Sequence, residues 1–422
     1  MDTTMRTMDT DMNEPGTRRA WLSRTAGLLA ALALPRLATA AGKTAPARPG
    51  AGAGSETVAL IGLADDPRYA PRRLEHAYPG QPGGRLLDAV QLALADSEVG
   101  LRAAGKTLQL REVLLPDLAA LPAQLAQLRK EGVAYWLLDL PAAAVAQASR
   151  AAGDAALLFN LSAPQDSLRG ADCGAQLLHS LPSQSMLQDA LAQYLAARSW
   201  RKAWVLHGPS PEDAQLLQAW QRAAGRYGIR NIGIKAFKLS GDPRERDLAN
   251  TRLLTSDREH DVVVVLDADG EFARTLPYAT QQPRPVVVSN GLSALAWHPH
   301  WERNGGPQVS RRFRKLAGRA MTGQDWSAWI ALRSIAALLG ELPKAGVVEQ
   351  ARALRGGQVH VDGAKGPRLS YRAWDGQLRQ PVFLAHGDGV IGVAPIEGVL
   401  HPLEQLDTLG VDRQESACKA AP

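Results

Sequence analysis

The sequence has no apolar run long enough to cross a membrane. Its one candidate for an anchor, Ala26 to Pro35, is far short of the ~20 residues a spanning helix needs, and Arg36 interrupts its end. There is no lysine-rich tail and no alternation of basic with aromatic residues. The formal charge of +6, from 48 Lys and Arg against 42 Asp and Glu, is spread along the chain, which argues against a nucleic-acid partner. Catalytic signatures are missing too: no Gly-x-Ser-x-Gly, no His-Glu-x-x-His, no Walker loop, and no Gly-x-Gly-x-x-Gly after the first expected strand. An enzyme is therefore not expected, nor a cofactor. Cysteine is scarce, with only Cys173 and Cys418 in 422 residues. In an oxidising compartment the pair suggests one disulfide; otherwise they are separate thiols, Cys173 buried and Cys418 loose near the terminus.

The start of the chain suggests which compartment. Thr17-Arg18-Arg19-Ala20-Trp21-Leu22-Ser23 resembles a twin-arginine export signal, followed by the short apolar run and the small-x-small pattern Ala38-Thr39-Ala40. Paired arginines also occur in ordinary signals, although Arg36 leans toward the twin-arginine route. Residues 1–40 are read as a removed signal peptide and the mature protein as periplasmic. Residues 41–56, rich in Ala, Gly and Pro, read as a disordered leader. The mature part keeps a charge of +5 and is long enough for two domains.

The body alternates short apolar strands with amphipathic helices. Strands are expected at Val58–Leu63, Leu108–Leu114, Val133–Leu138 and Ala156–Asn160. Between them Leu87, Val90 and Leu94, then Leu121, Leu125 and Leu128, recur at helical spacing. The rhythm restarts with a helix at Met186–Ala197 and strands at Ala203–Leu206, Ile232–Phe237, Asp261–Leu266 and Pro285–Ser289. Ser210-Pro211-Glu212-Asp213 reads as a helix start: a capping serine, a proline at the first helical position and an acid three residues after the cap. Helices follow at Arg311–Ala320, Asp325–Leu342 and Val347–Leu354. Antiparallel strands are then expected within Arg368–Leu400, with Asp375-Gly376 in a hairpin turn. The pattern predicts an α/β protein with two doubly wound lobes.

Several segments resemble the type I periplasmic binding proteins, in particular the leucine/isoleucine/valine-binding class of ABC transporter receptors. They are Gly80 with Gly83-Gly84 and Leu87-Asp88-Ala89-Val90-Gln91-Leu92-Ala93, then Leu178-His179-Ser180-Leu181-Pro182-Ser183-Gln184, then Gly363-Ala364-Lys365-Gly366-Pro367-Arg368-Leu369-Ser370-Tyr371. Asp172-Cys173, Ala190 to Leu195, Asp267 to Phe272, Gly376 to Pro381 and Leu406-Asp407-Thr408-Leu409-Gly410 are similar to the subfamily associated with PQQ-dependent alcohol dehydrogenase systems. The resemblance spans essentially the whole mature chain. It implies two lobes joined by three crossovers, with residues 57–181 and 307–360 in one lobe, 182–306 and 361–402 in the other, and 403–422 as a tail. It also implies a ligand cleft between the lobes, where open α/β sheets leave a crevice at the carboxyl ends of their strands.

The candidate site residues lie in loops at that crevice. Arg72, Arg73 and Tyr78 belong to a long loop after the first strand. It either lines the cleft with guanidinium forks for an anionic ligand or is a solvated surface insertion. Ser162 stands where the resembling receptors present a hydroxyl to a ligand carboxylate. Ser210 and Asp267 occupy the matching loops of the second lobe. Asn290 follows a later strand where amino-acid receptors place an acid for the ligand ammonium, so an amino-acid ligand is in doubt. Asp267-x-Asp269 lacks the further ligands of a calcium loop, and His298-x-His300 is an incomplete metal site. The expected function is a monomeric periplasmic receptor that captures a small, anionic molecule and delivers it to an ABC permease, with only peripheral contact to a membrane complex. The alternative is a sensor or accessory protein of a PQQ-dependent alcohol dehydrogenase system.

Overall fold

The computed structural model describes residues 54–419. The segments read as signal peptide and cleavage pattern, and most of the expected leader, lie outside the described residues. The first half of the chain builds a five-stranded parallel sheet from β1 (Gly54–Leu63), β2 (Lys106–Leu115), β3 (Tyr135–Asp139), β4 (Leu157–Asn160) and β5 (Leu177–His179), in the order β2-β1-β3-β4-β5. The helices between these strands are α1 (Pro71–Glu75), α2 (Leu87–Ala103), α3 (Leu121–Lys130) and α4 (Ala142–Ala152).

Strand β3 is buried along its whole length. That is why it reads as an unbroken apolar run: a parallel sheet covered on both faces needs hydrophobic side chains at every position. Alternation in the strands sorts two cores. Val58, Leu60, Leu137 and Phe159 point to one face, and Ala59, Ile61, Trp136 and Leu138 to the other, against α3 and α4. The first face is closed by α2 and by helices from far along the chain.

A second sheet uses β6 (Lys202–His207), β7 (Arg230–Ala236), β8 (Val262–Leu266), β9 (Val286–Val288), β10 (Leu292–Leu295), β13 (Val382–His386) and β14 (Gly389–Ala394), in the order β14-β13-β10-β9-β8-β6-β7. The strands from β6 to β10 run parallel, and β13 and β14 are antiparallel additions. Helices α5 (Gln184–Ala197) and α6 (Pro211–Arg226) cover one face. The other face packs Trp204, Leu206, Val263 and Val265 against Phe237, Leu254, Phe272 and Leu276, carried by loops, single turns and the short α7 (Thr251–Leu254). These are two doubly wound lobes.

The chain then returns to the first sheet. Helices α8 (Gly306–Ala317), α9 (Gly323–Glu341) and α10 (Val347–Arg355) join its inner core through Phe313, Trp326, Ile330, Ile335 and Leu354. Thr322 and Asp325 form a capping box that starts α9, with Arg319 Nη1 2.7 Å from Asp325 Oδ2.

The structure differs from the sequence reading in three places. Strand β1 begins at Gly54, so residues 54–56 of the expected leader pair with Lys106–Leu108, and Lys106 meets Glu56 at 3.1 Å. The short hairpin of β11 (Val361–Asp362) and β12 (Arg368–Leu369) packs on the first lobe, because Trp326 Nε1 bonds Gly363 O at 2.9 Å and Tyr371 shares a hydrogen bond with Ser334 at 2.9 Å. The third passage between sheets therefore runs through Arg372–Pro381, later than the boundary at residue 360. Strands β5 and β10 were not foreseen at all. The hairpin turn at Asp375-Gly376 is present, bridged by Tyr371 and Leu378. Among the described residues no helix is long and apolar enough to cross a membrane.

Candidate functional site

Strands β1, β3 and β4 of the first sheet and β6, β8 and β9 of the second end in loops at the carboxyl edges of their sheets, where open α/β sheets leave a crevice. The loop after β1 is tied down before it reaches across. Asp66 caps a single turn at Pro67–Tyr69 and pairs with Arg68 at 2.5 Å. Arg68 Nη2 also reaches Asp139 Oδ1 at 2.8 Å, at the end of β3, and the Tyr69 hydroxyl donates to Asp139 Oδ2 at 2.7 Å. Burial alone would raise the Asp66 pKa; the hydrogen bonds from Arg68 outweigh it and hold the carboxyl below its ordinary value. Arg85 donates to the carbonyls of Leu63 and Ala64 and stacks over Tyr69. The sequence reading singled out Arg72, Arg73 and Tyr78 in this loop and passed over Arg68. Its partner Asp139 was missed, although a lone acid ending the apolar run Tyr135–Leu138 was the available signal.

After β4, the Asn160 side chain clamps its own loop, accepting from Ala163 N at 3.0 Å and donating to Ala163 O at 2.7 Å. Ser162 sits at the tip. Its Oγ is buried and has no hydrogen-bond partner. An unpaired buried hydroxyl costs about 1–3 kcal/mol. Asn160 also meets His179 Nδ1 at 3.1 Å. Burial, with Arg169 and Arg355 nearby, pushes the His179 pKa far below its ordinary value, so the ring is neutral.

In the second lobe, Ser210 serves as a helix cap: its Oγ accepts from Asp213 N at 3.0 Å, and Asp213 Oδ2 accepts from Ser210 N at 2.9 Å. Asp213 Oδ1 accepts from Ala268 N at 2.7 Å and so fixes the next loop. Asn290 is also committed, donating to the carbonyls of Ala273 and Arg274 and accepting from Gly291 N. Both side chains brace the crevice loops. Asp267 is buried, and its Oδ2 accepts from Ala273 N at 2.8 Å. Burial, with Asp269 beside it, pushes its pKa up to about 7. Val288 ends β9 at φ 88, a conformation rare for a β-branched residue and the kind of backbone strain that gathers at binding loops.

The two lobes touch across the crevice. Arg73 Nη1 lies 3.4 Å from Asp269 O. Gly270, at φ +77, lies so close to Tyr78 that a Cβ there would come within 2.1 Å of the Tyr78 hydroxyl, so this position needs glycine for both backbone and space. Burial and the carboxylates of Asp267, Asp269 and Glu271 push the Tyr78 pKa upward. The structure thus brings Arg73 and Tyr78 to the loop that carries Asp267, while Arg72 and Arg73 are both exposed on α1. The two histidines read as an incomplete metal site face carbonyls: His298 Nε2 is 3.1 Å from Gly387 O and His300 Nδ1 2.9 Å from Asp388 O.

No family model matches the sequence, and none of the curated proteins does. Solved structures match it well. The leucine-, isoleucine-, valine-, threonine- and alanine-binding protein of Brucella ovis, in its closed conformation, superposes with a TM-score of 0.65 at 14% identity, over 82% of this chain and 95% of that one. An amino acid ABC transporter substrate-binding protein from Pseudomonas fluorescens gives 0.65 at 13%, over 86% and 99%. An ABC transporter solute-binding protein from R. palustris, in complex with benzoate, gives 0.59 at 12%, over 87% and 100%. The two sheets, the three passages between them and these superpositions agree: the chain has the two-lobed fold of the type I periplasmic binding proteins of ABC transporters.

Proposed function

We propose that the protein is a periplasmic receptor of the leucine/isoleucine/valine-binding class, which closes around a small carboxylate-bearing molecule and delivers it to an ABC permease. The observation that carries this reading is the meeting of crevice loops from two separate sheets, Arg73 with Asp269 and Tyr78 with Gly270. A solute touching both lobes binds the closed state more tightly and shifts the hinge equilibrium toward it. The ligand carboxylate is assigned to the Ser162 side, because the opposing loop carries Asp267, Asp269 and Glu271 and would repel it. Positive charge is proposed to come from the loop after β1, either from Arg73, which lies against the Asp269 backbone, or from Arg72. The benzoate bound by the R. palustris protein supports a carboxylate. The finer likeness to receptors of PQQ-dependent alcohol dehydrogenase systems rests on sequence motifs. Two of these, Asp172-Cys173 and Leu406–Gly410, hold the tail in place.

The test is a thermal-shift panel of benzoate, other small carboxylates, neutral alcohols and branched amino acids on the mature chain, repeated with Ser162→Ala, Arg72→Ala and Arg73→Ala. Carboxylates should raise Tm, and Ser162→Ala should weaken the response. Stabilisation by alcohols or amino acids alone overturns the anionic-ligand reading. Carboxylate binding unchanged in all three variants overturns the site.

A further inference from the structure

The tail beyond β14 touches both lobes and the passage between them. On the second lobe, Gly410 N donates to the buried Asp189 Oδ2 at 2.7 Å, while Arg222 and Arg226 reach Gly410 O at 2.7 and 2.9 Å. The Tyr227 hydroxyl donates to Thr408 O at 2.7 Å, and Arg222 Nη2 pairs with Glu415 Oε2 at 3.0 Å. On the third passage, Arg372 donates to Asp407 and to the carbonyls of Leu406 and Leu409, Arg379 donates to Asp407, and Trp374 Nε1 donates to Val411 O. On the first lobe, Cys418 is bonded to Cys173, between the loop after β4 and strand β5.

We infer that this tail is a covalent strap over the hinge, which limits how far the two lobes can open. The reasoning is one of reach. Glu415 is held by a helix of the second lobe, and three residues later Cys418 is bonded to the first. Those three links span at most about 11 Å when fully extended. An opening motion that uses up this slack must pull Glu415 off Arg222, and after that Gly410 out of the Asp189–Arg222–Arg226 cluster. Resistance therefore rises in steps, from an exposed ion pair to a buried carboxylate. Without the disulfide the last anchors would lie on one lobe and the passage, and opening would meet no such stop. The strap acts on the range of motion and not on the ligand-contacting loops, so it is independent of which solute the crevice takes.

The experiment compares the oxidised mature chain, the same protein treated with the phosphine TCEP, and Cys418→Ser, all without added solute. TCEP opens the disulfide to two thiols and becomes the phosphine oxide, with the oxygen and both protons coming from water. Small-angle scattering should show the radius of gyration rising by about 1 Å from the ~21 Å of a compact chain of this size. Hydrogen exchange should quicken in Leu181–Ser183, in Arg372–Pro381 and at Arg73–Gln81. Cys173→Ser should match Cys418→Ser; if either variant fails to fold, the reduced wild type carries the comparison. An unchanged radius overturns the inference. So does faster exchange confined to residues 403–419, which would mean that the tail frays without releasing the lobes.

Discussion

Asp407→Ala should be among the most damaging single substitutions in this protein, although Asp407 is far from the crevice. The carboxylate is 2% exposed and accepts from Arg372 Nε at 2.8 Å and from Arg379 Nε at 2.9 Å. Arg372 is itself 1% exposed; its remaining partners are the carbonyls of Leu406, Leu409 and Val411, with Asp375 Oδ2 at 3.8 Å. Removing one member of a buried pair leaves the other charge uncompensated, which costs about 3–5 kcal/mol. With a urea m-value of about 3 kcal/mol/M, the midpoint should fall by about 1–1.7 M. Asp407→Asn keeps an acceptor oxygen and should lose less. Unfolding should be followed by far-UV circular dichroism and tryptophan fluorescence together, because two lobes can unfold separately and a single midpoint is meaningful only if the two curves coincide. A loss below about 1 kcal/mol, or equal losses in the Ala and Asn variants, would refute the reasoning: the first would mean solvent replaces the carboxylate, the second that its oxygens are not what holds Arg372.

Three further outcomes are expected. Thiol titration of the denatured, unreduced mature protein should find no free thiol, and reduction should cost up to about 5 kcal/mol of stability, because the bridge closes a loop with a sequence separation of 245; two titratable thiols would contradict it. The carboxyl of Asp267 is raised from 3.8 to about 7, chiefly by burial, so the folded state holds that proton more tightly than the unfolded chain. The resulting stability is complete below about pH 4 and lost as pH rises toward 7. Asp267→Asn should therefore gain on wild type across that window, by at most about 4 kcal/mol, and chemical denaturation giving a flat difference from pH 4 to 8 would count against it. Gly233→Ala would place a Cβ 2.1 Å from Trp204 Cζ3 and should cost about 1–3 kcal/mol, whereas Gly241→Ala, with open space around it, should leave Tm unchanged; equal Tm values for the two variants would show that β6 and β7 adjust freely.

What could be read from the sequence followed physical locality. The four valines of β8, the Leu121–Leu125–Leu128 stripe of α3 and the Ser210–Asp213 cap each carry their signal within a few residues, and each formed as read. Strands β5 and β10 are three and four residues long, too short to show a period. The crevice was legible as a set of loops but not in its assignments. A serine beside a helix start has the same sequence signature whether it caps the helix, as Ser210 does, or faces a solute, and Asn290 turned inward to brace the Ala273–Arg274 backbone. The Asp139–Arg68 pair joins residues 71 apart, and Asp407 meets Arg372 across 35. Pairings of that range depend on the tertiary arrangement, which no local pattern encodes.

The return of α9 to the first sheet has a consequence for how the protein is made. All five strands of that sheet have been synthesised by His179, and α3 and α4 can already cover one face. The opposite face, with Leu60, Leu137 and Phe159, waits for Trp326, Ile330 and Ile335. At about 5–20 residues per second, the gap between His179 and Glu341 is roughly ten to thirty seconds. During that interval the five-stranded sheet has only α2 on this face, and the apolar surface meant for α8–α10 is uncovered. Nascent chains stalled before Gly323 should therefore be held by chaperones or aggregate, even though the five parallel strands of their second lobe are already made.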